Sequence, residues 1–184
     1  RRRLSAVANM SIVWNGVTPT HPLYIPLAGQ GALKNAISAA VNKGIFFTFA
    51  GGNENVDACL YYPGKIGSQV PGAMAVGALT NSGEPMRYVL GEPLKAASYG
   101  PCVEIWAPGQ SVQSTAAFPG ISAQNNIGPN TIYPYEKIPA WGPGVPNPPN
   151  SSNMQPGLHL YLEGSGSSLA APHVAGAALL LARK

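Results

Sequence analysis

The residue best placed to do chemistry in this 184-residue chain is a serine that directly precedes an alanine-rich apolar segment. The segment Gly166–Gly176 reads GSSLAAPHVAG, and its small residues predict a turn followed by a helix that starts at Ser168. A helix N-terminus offers unpaired N–H groups and a partial positive charge. These groups could stabilise the oxyanion of an acyl intermediate formed on Ser168. The alternative is a buried Ala/Gly-rich helix that happens to begin with serines.

A second candidate is an asparagine that follows a predicted buried strand. The continuous apolar run Ile45–Phe49 is typical of a strand covered on both faces, and the residues after it are Ala50, Gly51, Gly52 and Asn53. Sites in open α/β sheets form at the carboxyl ends of strands. The Asn53 amide could donate a hydrogen bond to an oxyanion. The alternative is an ordinary Gly/Asn turn, which alone would be the simpler interpretation.

The elements that must position these two residues alternate between strands and helices. Helical periodicity runs from Gly31 to Lys43, and Gly44 then supplies the glycine that commonly ends a helix. A strand–helix–strand succession at this spacing predicts a parallel sheet with right-handed crossovers, and therefore an α/β fold. The predicted strands are Val7–Val13, Ile45–Phe49, Ala73–Leu79, Val103–Trp106 and Val112–Thr115, the second helix is Ser168–Lys184, and residues 14–30 are predicted as a loop.

Composition excludes several classes of protein. The chain is 45% hydrophobic and 10% charged, which is far from a disordered composition. The net charge is +4, but the cations beyond Arg1–Arg3 are scattered, so we expect no nucleic-acid partner. No apolar run reaches the roughly 18–20 residues of a membrane span. Cys59 and Cys102 could be free thiols or a disulfide, and no Cys/His cluster predicts a metal site.

The two candidate segments resemble a known family. Gly166–Gly176 closely resembles the nucleophile segment of the subtilisin-like serine proteases, Gly-Thr-Ser-Met-Ala-x-Pro-His-Val-Ala-Gly, with Ser167 and Leu169 as conservative departures. Ala50–Asn53 resembles the Ala-Ala-Gly-Asn motif of the same family. The resemblance implies that Ser168 is the nucleophile and Asn53 the oxyanion donor of a serine endopeptidase. It also implies a doubly wound, mostly parallel sheet with helices on both faces, of which residues 1–184 are the C-terminal portion.

Further blocks follow in family order and extend the resemblance over most of the chain. They are Asn9–Ser11, Tyr62–Lys65, Ala75–Ala78 and Val103–Gly109. The resemblance implies that a polypeptide substrate is lined by Ser11, Ile12, Val13, Ala50, Gly51 and Gly52. Relatives have Leu-Gly-Gly where this chain has Ile12-Val13-Trp14, so Val13 and Trp14 place side chains where a substrate backbone approaches. This departure narrows the pocket or opposes ordinary peptide binding.

The resemblance to aqualysin- and proteinase K-like relatives carries further expectations. Their cysteines lie in contexts similar to Asp57-Ala58-Cys59 and Tyr99-Gly100-Pro101-Cys102-Val103, which implies a Cys59–Cys102 disulfide and a secreted or extracellular protein. In a secreted protein the Asn150-Ser151-Ser152 sequon could be glycosylated. No cofactor is required. Glu104, with the carbonyl groups of Pro71 and Ala73, could hold a structural calcium ion.

A serine protease triad also needs an aspartate and a histidine. No Asp or His of this chain lies in the sequence motifs that carry these two residues in the family. The chain's one aspartate is Asp57, and its histidines are His21, His159 and His173. We therefore expect a companion segment or chain that carries the triad Asp and His and covers an open edge of the sheet. The alternative is a catalytically inactive subtilisin-fold component of a larger assembly.

A proline-rich stretch bears on the choice between these readings. Nine of the nineteen prolines lie in residues 118–157, which are predicted to be a surface insertion within the domain, because proline opposes helix and central strand. The insertion and the Val13-Trp14 departure favour an inactive component. The presence of Ser168 and Asn53 favours the protease.

Overall fold

The computed structural model describes residues 6–15, 24–87, 96–116, 132–134 and 160–182. The chain divides into two compact units, one of residues 1–110 with 165–184 and one of residues 111–164. Both candidate residues lie in the first unit. The prediction that residues 118–157 form an insertion, and the Asn150 sequon within it, fall outside the described residues except for Ile132–Pro134.

The first unit is built on a four-stranded parallel sheet. Its strands are β1 (Ala6–Met10), β3 (Ile45–Ala50), β5 (Ala73–Leu79) and β6 (Ile105–Pro108), and they lie in the order β1-β3-β5-β6. A short antiparallel pair joins β2 (Trp14–Asn15) to β4 (Tyr61–Tyr62). The helices are α1 (Leu27–Asn42), α2 (Gly64–Gly67) and α3 (Ser167–Leu181). The predicted α/β class with a parallel sheet is confirmed.

Helices cover both faces of this sheet because side chains alternate along each strand. On one face, Val76 and Ala78 of β5 pack with Ala170, Ala171 and Val174 of α3. The opposite face forms a second cluster with α1 and α2, whose buried members are Ile37, Phe49, Tyr62, Ile66, Val70 and Ala73. Alanine at the α3 contact leaves little side-chain bulk between helix and sheet, so the start of α3 lies close to the strand ends.

The second unit contains a three-stranded antiparallel sheet among its described residues. The strands are β7 (Val112–Ala116), β8 (Ile132–Pro134) and β9 (Leu160–Gly164), in the order β7-β9-β8. Pro134 lies on an edge strand, where a residue without an N–H is tolerated. The described part of the chain contains no helix long and apolar enough to cross a membrane.

Several predicted boundaries were wrong. Strand β1 ends at Met10, so Ser11–Val13 lie beyond it, and β6 begins two residues later than predicted. The predicted loop over 14–30 contains β2 and the first turn of α1, which starts at Leu27 after Pro26. Leu27 is 77% exposed, so this first turn lacks the buried stripe that periodicity detects. The predicted helix end is confirmed, since Gly44 has φ 90° and its N–H donates to Val41 O.

Cys59 and Cys102 form a disulfide, with their Cα atoms 5.2 Å apart, which confirms the predicted pairing. Cys59 lies in a short 3₁₀ turn, and its own N–H donates to the Asp57 carboxylate, which caps the turn. Cys102 is buried and precedes β6. The bridge therefore connects the segment that follows β3 to the segment that enters β6.

Removal of this bridge should destabilise the protein substantially. The two cysteines are separated by 43 residues, and the loop-closure model gives about 4 kcal/mol for a loop of that length. The double variant Cys59→Ser, Cys102→Ser should lower the free energy of urea unfolding by an amount of that order. Reductant should lower the stability of the unmodified protein equally and leave the double variant unchanged. A loss below about 1 kcal/mol would contradict the prediction.

Candidate active site

Ser168 is the second residue of α3, and the hydrogen bonds around it leave one backbone donor unused. The Ser167 N–H donates to Asn53 Oδ1 at 2.8 Å. The N–H groups of Leu169 and residue 170 donate to Gly166 O at 3.0 and 3.3 Å. Within the described ranges, the Ser168 N–H has no protein partner. A free donor therefore lies beside the Ser168 hydroxyl, as the N-terminus of a helix requires somewhere in its first turn.

The side chain of Asn53 supplies a second unused donor. Its Oδ1 is held by the Ser167 N–H, and its backbone N–H donates to Glu54 Oε2 at 2.7 Å. Because Oδ1 is fixed, the orientation of the amide is fixed too, and Nδ2 has no partner in the part of the chain that is described. A Cβ atom built on Gly166 would lie 3.0 Å from this nitrogen. Asn53 Nδ2 thus faces the turn that delivers Ser168.

A second hydrogen bond ties the end of β3 to the start of α3. The Gly52 N–H donates to Ser167 Oγ at 3.0 Å, and Ser167 is fully buried. Gly52 has φ +107°, and a Cβ there would lie 2.8 Å from both Glu54 Oε2 and Ser98 Oγ. Only glycine fits this conformation without strain. Gly52 O in turn accepts from the Ser98 N–H, so the backbone that presents Asn53 is held from two sides.

The predicted substrate-lining residues fall in two places around these groups. Ser11 contacts Ser168 directly, since its hydroxyl donates to Ser168 O at 2.6 Å. Ile12, which is 43% exposed, and Val13 follow it in the short segment between β1 and β2. Ala50 and Gly51 are buried at the end of β3, where the Gly51 N–H donates to Val76 O. Ser11, Gly52, Asn53 and Ser168 are therefore brought together.

Trp14 takes a structural position that the sequence did not indicate. It pairs with Tyr62 across β2 and β4, and its ring packs against the core cluster on the α1 and α2 face. Trp14 stands where relatives have glycine, and its indole ring contacts the hydrophobic core.

The described residues place no general base next to Ser168. His173 is exposed on α3, and its Nδ1 lies 2.8 Å from Leu169 O of the same helix. The Asp57 carboxylate is used in capping the 3₁₀ turn. His21 and His159 lie outside the described residues. The one histidine among the described residues, His173, is therefore engaged with its own helix.

Glu104, the carboxylate of the predicted calcium site, is hydrogen-bonded to the parallel sheet. Its Oε2 accepts from the Ala75 N–H at 3.0 Å, so this oxygen already supports β5. Calcium takes six to eight oxygen ligands, and the described ranges contain no group of three His, Cys, Asp or Glu residues that could hold a metal ion. The calcium site remains a prediction.

The family of this chain follows from its similarity to known proteins. Residues 6–184 match the family described as the subtilase family. The chain belongs to the subtilase family. This subtilase chain is 30% identical over 149 residues to an extracellular serine proteinase of Thermus sp. (strain Rt41A), a match that covers 81% of the chain and 24% of the relative. It is 28% identical over 149 residues to alkaline serine exoprotease A of Vibrio alginolyticus, covering 81% and 18% respectively.

Solved structures support the fold of this subtilase chain. A cold-adapted subtilisin-like serine proteinase superposes with a TM-score of 0.54 at 24% identity, covering 96% of this chain and 41% of that one. The prenylagaramide maturation protease PagA gives a TM-score of 0.51 at 20% identity, covering 95% and 42%. The chain spans about a quarter or less of the two sequence relatives' length and about two fifths of these structures.

Two tyrosines of β4, Tyr61 and Tyr62, have raised pKa values in the folded protein. Burial raises the pKa of Tyr61 above its ordinary value of 10.0; the Glu54 carboxylate raises it further, and a hydrogen bond with Asn15 opposes the shift. Burial also raises the pKa of Tyr62 above 10.0. In both cases the folded state holds the phenolic proton more tightly than the unfolded chain does.

Substitution of Gly166 should disturb the site in two ways, through strain in its backbone conformation and through contact with the Asn53 side chain. Gly166 has φ +146°, and a Cβ there would crowd Asn53 Nδ2, Oδ1 and Cγ at 3.0–3.4 Å. We expect Gly166→Ala to displace the Asn53 amide and slow the reaction of Ser168 with an active-site label at least tenfold. Gly83→Ala is the matched control, because Gly83 has φ +83° and nothing within 4 Å of a built Cβ. Equal labelling rates in the two variants would contradict the prediction.

The raised tyrosine pKa values predict a loss of stability in alkali. Their contribution is fully present below pH 10 and is lost as the pH rises from 10 through the folded-state pKa, because the unfolded chain releases its protons first. Tyr61→Phe should therefore make the free energy of urea unfolding fall less steeply above pH 10. Tyr99→Phe, at a site 52% exposed, serves as control. An unchanged slope in Tyr61→Phe would refute the assignment.

Proposed function

We propose that this chain carries the nucleophile and the oxyanion-binding groups of a serine endopeptidase that cleaves polypeptides. The observation that supports this most directly is the 2.8 Å bond from the Ser167 N–H to Asn53 Oδ1. This bond uses Oδ1, the acceptor atom of the Asn53 side-chain amide, and the Ser167 N–H, the first backbone donor of α3. Two donors are left without partners among the described residues: the Ser168 N–H, on the same residue as the hydroxyl, and Asn53 Nδ2, on the amide that is bonded to the preceding Ser167.

These donors fit the transition state of acyl transfer. Ser168 Oγ attacks the scissile carbonyl carbon, and its proton passes to a histidine that is not among the described residues. The carbonyl oxygen becomes an oxyanion, which accepts hydrogen bonds from Asn53 Nδ2 and the Ser168 N–H. Collapse expels the amine, which takes the proton, and leaves an acyl ester on Ser168. Water then hydrolyses the ester.

The triad Asp and His are proposed to come from a companion segment of the same catalytic domain. β1 lies at the edge of the described parallel sheet, and parallel sheets are normally buried with their edges protected. A strand paired with β1 would bring new residues to the strand end next to Ser11. The hydrogen bond from Ser11 to Ser168 O places that strand end beside the nucleophile.

The substrate is proposed to lie along Ser11–Val13 and Ala50–Gly52. Ser11–Val13 belong to neither β1 nor β2 in the described structure, and extended peptides bind readily by adding a strand to such segments. Ile12 is the most exposed apolar side chain there and would contact the substrate's own side chains. Because the Gly51 and Gly52 N–H groups are bonded within the protein, Ala50–Gly52 would contact substrate through other atoms.

A secreted or extracellular location is proposed for the same protein. The relatives include an extracellular serine proteinase of Thermus and an alkaline extracellular protease of Yarrowia lipolytica. The Cys59–Cys102 disulfide suits an oxidising compartment. In that compartment Asn150 could carry a glycan, which peptide mass spectrometry of native material would detect.

The side chains of Val13 and Trp14, at positions where relatives have glycine, favour one alternative, an inactive subtilase-fold component that binds polypeptide. Fluorophosphonate labelling of the native, undissociated protein separates the two functions. An adduct on Ser168, together with a co-purifying peptide that carries the Asp and His motifs, supports the protease. No adduct in the presence of that peptide supports the inactive component.

Two substitutions test the roles of the named residues. Ser168→Ala should abolish labelling and peptide hydrolysis, since no other oxygen can form the acyl ester. Asn53→Ala should lower turnover by about 10²–10³, the loss known for the corresponding donor of subtilisin. Ser82→Ala and Asn81→Ala, both at exposed positions, are matched controls that should leave turnover unchanged. Full turnover in Ser168→Ala would overturn the proposed function.

A further inference from the structure

A proline within α3 removes a hydrogen bond from the nucleophile's own carbonyl. In an α-helix the carbonyl of residue i accepts from the N–H of residue i+4. The residue four positions after Ser168 is Pro172, which has no N–H and whose ring crowds the i−4 carbonyl. The Ser168 carbonyl therefore cannot receive its helical hydrogen bond. Left unpaired in a partly buried position, it would be costly.

Ser11 supplies the missing donor from outside the helix. Its hydroxyl donates to Ser168 O at 2.6 Å across 157 residues of sequence. This bond fixes the peptide unit between Ser168 and Leu169, whose carbonyl receives no hydrogen bond from position 172 of the helix. The acceptor lies on Ser168 itself, so a shift of this carbonyl turns the same residue's backbone and moves Oγ.

The Ser11 hydroxyl is itself oriented by a chain of donors that begins inside the sheet. Thr48 Oγ1 donates to Asn9 Oδ1 at 3.1 Å, and Asn9 Nδ2 donates to Ser11 Oγ at 2.9 Å. Thr48 is fully buried, and it is the register partner of Asn9 across β3 and β1. Every group donates in the same direction, from Thr48 through Asn9 and Ser11 to Ser168 O. Chains with this consistent polarity strengthen each member.

From these contacts we propose that Ser11 is a positioning residue for the nucleophile and that it replaces the helical donor removed by Pro172. The relay Thr48–Asn9–Ser11 connects the interior of the sheet to the Ser168 peptide. The proposal rests on the proposed function, in which Ser168 is the nucleophile. It differs from the substrate-lining role assigned to Ser11, because it acts on turnover through Ser168 and not on substrate affinity.

The test is a double-mutant cycle between Ser11 and Pro172 in the complete protein, including the segment that carries the triad Asp and His. Ser11→Ala should lower kcat for a short peptide substrate about 10- to 100-fold, the scale expected for a small misplacement of a reacting group, with KM changed less than twofold. Pro172→Ala restores an N–H at position 172. In that background Ser11→Ala should lower kcat less than threefold. Ser11→Thr, which keeps the hydroxyl, should retain most of the turnover.

Two further variants sharpen the result. In Asn9→Asp the carboxylate can only accept, so it draws the Ser11 proton away from Ser168 O, and kcat should fall as in Ser11→Ala. Ser68→Ala is the matched control, because Ser68 Oγ also donates to a backbone carbonyl, that of Lys65, away from the site. The inference is overturned if Ser11→Ala raises KM at unchanged kcat, or if its cost is the same with Pro172 and with Ala at that position.

A measurement that needs no activity separates failure of this inference from failure of the proposed function. Ser168-Leu169 is the single Ser-Leu pair in the sequence, so labelling this chain with carbonyl-¹³C serine and ¹⁵N leucine selects the Ser168 carbonyl by NMR. Its shift should move in Ser11→Ala and return in the variant that combines Ser11→Ala with Pro172→Ala. An inactive protein that shows this pattern refutes the protease but keeps the relay. If the protein is active and Ser11→Ala changes neither the Ser168 carbonyl shift nor kcat, the relay is refuted.

Discussion

The candidate site depends on a pair of reciprocal hydrogen bonds between the end of β3 and the start of α3. The Ser167 N–H donates to Asn53 Oδ1, and the Gly52 N–H donates to Ser167 Oγ. Each bond satisfies a group that the end of a secondary-structure element leaves unpaired. Together they fix which way the Asn53 amide points and which helical N–H remains free. Ser167, which precedes Ser168, therefore determines the geometry of the candidate site through its backbone N–H and its hydroxyl.

The packing below the site makes this pair possible. Ala170 and Ala171 are fully buried against Val76 and Ala78 of the sheet, and larger side chains at these positions would push the helix away from the strands. A helix displaced by even an ångström would stretch both bonds beyond the 2.7–3.2 Å at which N–H groups donate well. The alanine-rich composition of α3 therefore has a geometric purpose as well as a helix propensity.

The sequence predicted the features that local pattern controls. Ser168 and Asn53 stood out as candidates because each follows a distinctive run of small residues, and β5 was predicted with its correct bounds because its apolar run is uninterrupted. The early start of α1 could not be predicted, since Leu27 is exposed and carries no periodic signal. The core position of Trp14 and the contact from Ser11 to Ser168 depend on tertiary pairing, which single-sequence patterns do not encode. Pro172 is informative in the sequence, because a proline at this position leaves the Ser168 carbonyl without its helical hydrogen-bond donor. The sequence does not indicate which residue supplies the donor instead.

The sequence separations within the site have a consequence for folding. Its hydrogen bonds join residues 114, 115 and 157 positions apart, so no short segment of the chain can bring Ser168, Asn53 and Ser11 together. Closing such long loops is entropically unfavourable until the sheet between them has formed. The site must therefore be among the last parts of the unit to appear as the chain folds. A partly folded or nascent chain therefore contains Ser168 without the two hydrogen-bond donors that the folded unit brings to its side.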